Sequence, residues 1–161
     1  MQLHIGFRRV VKTDIDFLLM LRKSTMTEHL QNAGFNYSEQ DHLNRVKEFF
    51  NDSSIITNHK ENIGLIKLGL FSNHIHIRQF QVLPSHQGKG IGQYVIKVVQ
   101  KKAIEHNLPV TLNVLLDNPA KKLYLKQGFY VEEQLPQEYK MRWQNIPVTP
   151  QAAEFSKGIK G

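Results

Sequence analysis

The hydrophobic pattern of this chain changes its period at Pro84, and no other feature constrains the fold as strongly. Before Pro84, three apolar runs separated by polar turns occupy residues 54–83, a pattern typical of consecutive antiparallel strands. After it, apolar residues recur at helical spacing over residues 91–103, and a short apolar run follows at 110–115. The last of the three strands, this helix and the run at 110–115 form a strand–helix–strand unit, whose two strands are expected to be parallel neighbours.

The remaining segments complete a mixed α/β (α+β) domain. The expected helices run from 13 to 24–27, 38 to 50, 91 to 106 and 119 to 127, and the expected strands are 4–11, 54–57, 63–71, 74–83, 110–115, 129–134 and 139–143. These elements predict a mostly antiparallel central sheet of about seven strands with four helices. The length of 161 residues suits one domain, residues 1–143, followed by an appended tail at 144–161.

Composition excludes several classes of protein. Apolar residues make up 40% of the chain and charged residues 22%, so the chain is neither disordered nor collagen-like. It contains no cysteine, which excludes disulfides, thiolate metal sites and a cysteine nucleophile. No stretch approaches the roughly 18 apolar residues of a membrane span, and the basic residues near the start are unlike a signal peptide. We therefore expect a cytoplasmic protein without a membrane partner.

The charge of the chain favours anionic partners. The formal net charge is +7, which suits nucleic acid, phosphorylated cofactors or membrane surfaces. Between residues 84 and 126, seven lysines are opposed only by Glu105 and Asp117. Solvent-exposed helix faces would give the same pattern, so charge alone does not identify the partner.

A glycine-rich loop joins the strand 74–83 to the helix that follows. Glycines at 88, 90 and 92 leave the start of this helix bare, where unpaired N–H groups and the positive end of the helix dipole favour phosphate oxygens. We interpret the loop as a pyrophosphate cradle, although a tight connection would use the same glycines. Lys89 is followed by glycine, which excludes a P-loop, and Gln93 replaces the last glycine of a dinucleotide fingerprint.

Two motifs in this half of the chain carry a resemblance to a known family. Residues 82–92, VLPSHQGKGIG, are similar to the acyl-CoA signature of the GNAT family of N-acetyltransferases. Residues 112–129 resemble the second conserved segment of that family. The separation of the two motifs and the order of the predicted elements also match, over residues 3–143. The resemblance implies that the parallel strands 74–83 and 110–115 splay apart.

The same resemblance implies acetyl-CoA (coenzyme A) as the cofactor. Backbone groups of Phe80 and Val82 would pair with the pantetheine arm as an added strand would, and Asn118 would hydrogen-bond the arm. Residues 87–93 would bind the pyrophosphate. The implied cofactor-binding residues are Phe80, Gln81, Val82, Gln87, Gly88, Lys89, Gly90, Ile91, Gly92, Gln93 and Asn118. No metal is implied, because the pair His74 and His76 lacks a third ligand.

The implied reaction is direct attack of an acceptor amine on the thioester in a ternary complex, with an N–H of the strand 80–82 stabilising the oxyanion. Tyr124 would be the catalytic residue near the sulfur, acting through a shared hydrogen bond or with a pKa lowered by nearby lysines. A base is also needed, because deprotonating an alkylammonium at neutral pH costs about 4.6 kcal/mol. Arg78 and Asn113 occupy positions that often carry a carboxylate in the family. The remaining candidates are a water molecule and the side chains of His76, Glu28 and His29.

The leading hypothesis is an N-acetyltransferase that acts on a small-molecule or peptide amine. The alternative is a non-catalytic acyl-CoA-binding sensor or regulatory module, which the missing carboxylates favour. Nucleic acid enters only as a tRNA-borne acceptor, because no nucleic-acid-binding motif accompanies the charge. Trp143 and the proline-containing tail are compatible with a homodimer or with packing on their own domain. Acidic side chains available to attract a cationic acceptor are Glu28, Asp41, Glu132, Glu133 and Glu138.

Overall fold

The computed structural model describes residues 2–145, which form one seven-stranded sheet with helices on both faces. The strands are β1 (Ile5–Arg9), β2 (Ser53–Asn58), β3 (Glu61–Leu70), β4 (Ile75–Val82), β5 (Val110–Leu115), β6 (Tyr130–Gln134) and β7 (Glu138–Trp143). The helices are α1 (Ile15–Asn32), α2 (Glu39–Lys47), α3 (Ile91–His106) and α4 (Ala120–Lys126). The strand order is β1-β2-β3-β4-β5-β7-β6, and this mixed architecture confirms the predicted fold class.

Each face of the sheet has its own hydrophobic cluster. The cluster that buries α3 and α4 includes Ile66, Ile77, Val95, Val99, Tyr124 and Met141. The cluster that buries α1 and α2 includes Leu18, Leu21, Val46, Ile55 and Leu65. Alternate residues of a strand point to opposite faces, which is why neighbours such as Leu65 and Ile66 belong to different clusters.

The only parallel pair of strands in the described sheet, β4 and β5, opens into a wedge. Its three residue pairs end at Ile77 opposite Leu112, after which β4 continues beside β3 alone as far as Val82. The register of β4 on β3 shifts at Arg78, which is the extra residue of a β-bulge. A bulge bends its strand and increases the local twist, so it accounts for the separation of β4 from β5 and for the predicted splay.

The first helix is longer than its sequence indicates. It extends to Asn32, so the predicted end at 24–27 is wrong. The hydroxyl of Ser24 donates to the carbonyl of Leu21 at 3.0 Å, which satisfies the hydroxyl within the helix. The chain turns away only at Gly34, which has a left-handed φ of 89°.

The second helix is shorter than predicted. Its capping box is present, since Ser38 N–H donates to Asp41 Oδ2 at 2.8 Å and Asp41 N–H donates to Ser38 Oγ at 3.1 Å. The helix ends at Lys47 instead of residue 50, because Glu48 adopts an extended ψ of 123° and Phe49 follows with a left-handed φ of 53°. The chain therefore turns away from the axis of α2 before it enters β2.

The C-terminal end of the described chain packs on its own domain. Trp143 lies against the cluster under α3, and a Cβ added at Gly128 would stand 3.3 Å from its ring. Most of the predicted tail, residues 146–161, lies outside the described residues. Among residues 2–145, the helices are too short or too polar to cross a membrane.

Candidate active site

The wedge exposes one backbone edge of β4. Leu83 N–H donates to the carbonyl of Ile63 on β3 at 2.8 Å. Because backbone groups alternate along a strand, Gln81 also turns its backbone to β3, whereas Phe80 and Val82 turn theirs into the wedge. An extended ligand can pair with this edge as a further strand would.

The loop after β4 presents a row of N–H groups. Tyr94 N–H donates to the carbonyl of Gly90 at 3.1 Å and is the first donor of the α3 ladder. Among the described residues, no backbone carbonyl accepts from the N–H groups of residues 88–93. These donors and the positive end of the α3 dipole form a site suited to a pyrophosphate.

Two of the three loop glycines are required by the backbone. Gly88 and Gly90 have left-handed φ values of 74° and 84°, and a Cβ at either would meet no described atom within 4 Å. Gly92 has another role, because its Cβ would lie 2.9 Å from Leu123 Cδ2. The interpretation that the three glycines bare the loop for a ligand stays a prediction, and Gly92 in addition allows α3 to pack on α4.

A groove of about 540 Å³ connects this loop, the edge of β4 and α4. Every cofactor-binding residue predicted from the sequence lines it except Lys89, which is exposed. Lys122 and Lys126 also line the groove, and within residues 2–145 no carboxylate does. Bare N–H groups, two lysines and apolar walls such as Leu123 fit the phosphates and the long arm of coenzyme A.

Gln87 and Asn118 line the groove but are partly engaged within the protein. Gln87 Nε2 donates to the carbonyl of Val82 at 2.9 Å, and Gln87 N–H donates to the carbonyl of Pro84 at 3.3 Å. Gln87 therefore braces the loop and occupies one acceptor site on the β4 edge. Asn118 Oδ1 accepts from Ala120 N–H at 2.9 Å, which leaves its Nδ2 group to donate into the groove.

Tyr124 extends from α4 into the core, and only 6% of the residue is exposed. Its ring lies 5.7 Å from that of Phe129. Burial raises the pKa of the phenol well above its usual value, so the expectation that nearby lysines lower this pKa is wrong. One of those lysines, Lys121, instead lies 3.8 Å above the ring of Tyr139. Tyr124 remains protonated at neutral pH and is available as a hydrogen-bond donor.

A second cavity, of about 410 Å³, lies on the side of the wedge that faces α1 and α2. Residues that line both this acceptor-side cavity and the groove are Met26, Phe80, Gln81, Asn118, Ala120 and Tyr124. The two spaces therefore meet in the mouth of the wedge, and Tyr124 stands at their junction.

The elements that form the groove and the cavity match the sequence of a known family. The sequence model of the acetyltransferase (GNAT) family matches residues 21–129, from α1 to the turn after α4. This chain belongs to the GNAT acetyltransferase family. The match confirms the family predicted from the two motifs, and it supports acetyl-CoA as the cofactor of this GNAT domain. A search of curated protein sequences found no match.

Solved structures share the fold of this GNAT domain. PaiA N-acetyltransferase from Thermoplasma acidophilum, crystallised with coenzyme A, is 19% identical with a TM-score of 0.69, covering 88% of this chain and 99% of that one. Spermidine N-acetyltransferase from Vibrio cholerae, with CoA and spermine, is 22% identical with a TM-score of 0.66, covering 87% and 95%. An Arabidopsis thaliana protein with the bisubstrate analogue CoA-Ac-MVNAL is 16% identical with a TM-score of 0.66, covering 88% and 99%.

The GNAT domain places the candidate bases in different spaces. His76 lines the acceptor-side cavity, with its Nδ1 2.7 Å from Thr111 Oγ1, and burial lowers its pKa. The imidazole is therefore neutral at pH 7. His29 lines the groove, 3.5 Å from Asp117, and Glu28 lines neither space.

The positions where the family often has carboxylates lie in the acceptor-side cavity, and a carboxylate is close to one of them. Asn113 Nδ2 donates to Glu138 Oε1 at 2.8 Å, and Glu138 lines the cavity. Arg78 is paired with Asp52 at 3.1 Å. Nothing in the sequence pairs Glu138 with Asn113. The register of β7 on β5 places Glu138 opposite Leu115, so that it lies diagonally across from Asn113 on the same face of the sheet. A prediction of strand pairing would have been the signal that revealed it.

Two buried cations line the acceptor-side cavity without belonging to any motif. Arg22 on α1 is 3% exposed and Lys67 on β3 is 1% exposed. Lys67 Nζ donates to three carbonyls at the end of α2, at 2.7–3.2 Å, and burial lowers its pKa to about 8. The available signal was the spacing of Arg22, which falls four residues after Leu18 on the apolar side of α1.

The histidine pair at the start of β4, His74 and His76, is not part of a larger cluster of possible metal ligands among the described residues. The ring centroids of His74 and His76 are 6.5 Å apart. In the part of the chain that the structure describes, three or more such side chains are nowhere grouped to hold a metal ion.

Proposed function

We propose that this GNAT domain is an N-acetyltransferase that transfers the acetyl group of acetyl-CoA to a small-molecule or peptide amine in a ternary complex. The observation that carries the proposal is the meeting of the groove and the acceptor-side cavity at Tyr124. Two substrates held on opposite sides of the wedge would have their reacting atoms at this junction. The similar structures that hold spermine or the bisubstrate analogue CoA-Ac-MVNAL agree with an amine acceptor.

In this proposal the groove holds the donor substrate. The N–H groups of residues 88–93 bind the pyrophosphate, and Lys122 and Lys126 add positive charge on the same side. The β4 edge at Phe80 and Val82 pairs with the arm, and Asn118 Nδ2 donates to it. When bound, acetyl-CoA supplies an acyl group activated as a thioester.

Tyr124 acts as a hydrogen-bond donor to the leaving sulfur. With ordinary pKa values, full proton transfer from a phenol to a thiolate is uphill by about 2 kcal/mol. Burial raises the pKa of Tyr124, so full transfer is still less favourable here. A retained hydrogen bond stabilises the developing negative charge without that cost. A second donor, the N–H of Phe80 or Val82, stabilises the oxygen of the reacting carbonyl.

His76 is the side chain best placed to relay a proton away from the acceptor amine. It lines the acceptor-side cavity, and its lowered pKa keeps it neutral and able to accept a proton. The same low pKa makes it a poor final acceptor, so the proton passes on to solvent. The Asn113–Glu138 pair supplies a carboxylate in the same cavity, which removes the main reason for preferring a non-catalytic sensor.

Calorimetry with acetyl-CoA and free coenzyme A, followed by an acceptor screen with detection of the released thiol, tests the proposal. We expect both nucleotides to bind and at least one amine to be acetylated. Tight binding of acetyl-CoA without transfer to any amine would identify a sensor instead. Failure of both nucleotides to bind would refute the assignment of the groove.

A further inference from the structure

We propose that the acceptor carries an oxyanion group, a carboxylate or a phosphate, which binds Arg22 inside the acceptor-side cavity while the amine of the same molecule faces the wedge. This inference rests on the proposed acetyltransfer and specifies its substrate class. Three features of the cavity wall support it: a guanidinium without a carboxylate partner among the described residues, neighbouring cations that already have partners, and an amide oxygen without a hydrogen-bond donor where the cavity meets the groove.

Arg22 is a buried cation without a counter-ion. Its Nε donates to His42 Nδ1 at 3.2 Å, and its guanidinium carbon lies 5.5 Å from the centre of the Tyr37 ring. Within residues 2–145, no carboxylate lies within 4.0 Å of it. Burial lowers its pKa to about 10, so the group stays charged at neutral pH. A buried charge of this kind is unfavourable unless a partner neutralises it.

The other cations of the cavity are already engaged. Arg45 is paired with Glu48 at 3.4 Å, and Arg78 is paired with Asp52 at 3.1 Å. Lys67 directs its three N–H donors at the carbonyls that end α2. The charged side chains that line the cavity are Arg22, Arg45, Lys67, Arg78, Glu48 and Glu138. The wall therefore has an excess of positive charge, and among the described residues it is Arg22 that lacks a partner.

A guanidinium suits an oxyanion better than any other ligand. Its planar fork donates two parallel hydrogen bonds to a carboxylate or a phosphate, whereas a neutral acceptor group engages only one. Because Nε is held by His42, the two terminal nitrogens are the groups left for a ligand. The same positive wall disfavours an acceptor with a second ammonium, such as a polyamine.

Gln81 connects the anion site to the wedge. It is 6% exposed, lines both the groove and the cavity, and its Oε1 has no hydrogen-bond partner in the described chain. A buried amide oxygen without a donor is costly, and an ammonium from the acceptor would satisfy it. Met26, one helical turn after Arg22, also lines both spaces. An amino compound with an anionic end thus finds a complementary group in the cavity wall for each of its two ends.

Of the acidic residues that the sequence offered for a cationic acceptor, four lie away from this cavity. They are Glu28, Asp41, Glu132 and Glu133. Glu138 lines the cavity, but it already accepts from Asn113. The two carboxylates of the cavity wall, Glu48 and Glu138, are therefore both engaged, and the surroundings of the acceptor are those of an anion site.

Matched pairs of amines test the proposal directly. The probes are glycine against glycinamide, β-alanine against β-alaninamide, and phosphoethanolamine against ethanolamine, with spermidine as the polycationic probe. Calorimetry on the protein saturated with coenzyme A measures binding, and thiol release from acetyl-CoA measures transfer. We expect the best anionic amine to bind about 10- to 100-fold more tightly than its neutral partner, in line with charged hydrogen bonds. The carboxylate and phosphate arms distinguish the two sources of the oxyanion.

Arg22→Gln should abolish this preference and leave the affinity for coenzyme A within about twofold of wild type. Lys23→Gln is the matched control, because it removes a charge from the next position of α1, where Lys23 is paired with Glu39 at 3.0 Å outside the cavity. Melting temperatures establish that both variants are folded. If Arg22→Gln does not fold, the comparison of matched probes on the wild-type protein still decides the matter.

The proposal is overturned if no anionic amine binds more tightly than its neutral partner, or if Arg22→Gln retains the preference. Anionic amines that bind without being acetylated would leave the anion site standing and refute the catalytic role instead. Failure of coenzyme A to bind the wild-type protein would be a separate result, and it would refute only the assignment of the groove.

Discussion

Placing valine at position 90 should separate the function of the loop from the stability of the fold. Gly90 has a φ of 84°, a left-handed conformation that costs a residue with a Cβ about 1–2 kcal/mol. Its Cβ would meet no described atom within 4 Å, so backbone strain should be the main loss of stability. We expect the melting temperature of Gly90→Val to fall by about 3–6 °C.

The same substitution should reduce coenzyme A affinity far more than it reduces stability. Gly90 lines the groove, so a valine side chain there would occupy space next to the free N–H groups of residues 88–93 and keep phosphate oxygens from approaching them. A hydrogen bond to a charged group contributes about 1.5–3 kcal/mol. Loss of two such bonds therefore amounts to about 3 kcal/mol or more, which is at least roughly a 100-fold loss of affinity.

Gly34→Val is the matched control for this experiment. Gly34 has a φ of 89°, and a Cβ there would also meet nothing within 4 Å, but it follows α1 and does not line the groove. Calorimetric titration of free coenzyme A into both variants, with melting curves, compares equal strain at two places. The reasoning is refuted if Gly90→Val binds coenzyme A within about threefold of wild type, or if Gly34→Val loses as much.

Three further predictions concern Tyr124, Lys67 and Asp14. Tyr124→Phe should lower turnover about 10- to 100-fold with coenzyme A affinity nearly unchanged; full activity would remove Tyr124 from the chemistry. Because the folded-state pKa of Lys67, about 8, lies below its unfolded value, the unfolded chain binds more protons from pH 8 upward. Urea unfolding should therefore show wild type gaining about 2 kcal/mol over Lys67→Met as pH rises from about 7.5 to 9.5, and a flat difference would contradict this. The hydrogen bonds of Arg8 lower the pKa of Asp14. Asp14→Asn should therefore lower the free energy of urea unfolding above pH 4, and it should have little effect at a lower pH, where the wild-type carboxyl is protonated. An equal loss of stability above pH 4 and in acid would contradict this prediction.

Most strands and helices of this protein can be predicted from its sequence, because their positions depend on residues that are neighbours along the chain. The β5 range, residues 110–115, is the predicted one, since a short apolar run between Pro109 and a polar turn leaves little choice. The left-handed positions at Gly88 and Gly90 are likewise local, because only glycine adopts them without strain. Motif and loop together were enough to identify the family.

Groups whose behaviour depends on distant partners could not be predicted in the same way. Lysines flank Tyr124 in the sequence and suggest a lowered pKa, but the helix turns its phenol into the core and burial raises the pKa instead. Glu138 reaches Asn113 only through the register of β7 on β5.

The sequence by itself therefore determined the order of elements, the bare loop at the start of α3 and the acetyltransferase family, because backbone conformation and hydrophobic period are set by adjacent residues. Only the tertiary structure decided where the charges act. Arg22 is an ordinary helix residue until α1 packs over the wedge and places its guanidinium, without a carboxylate partner among the described residues, in the wall of the acceptor-side cavity. The energy of a charged group depends on how deeply it is buried and on the partners that other packed elements bring to it. Both are set only when the chain folds.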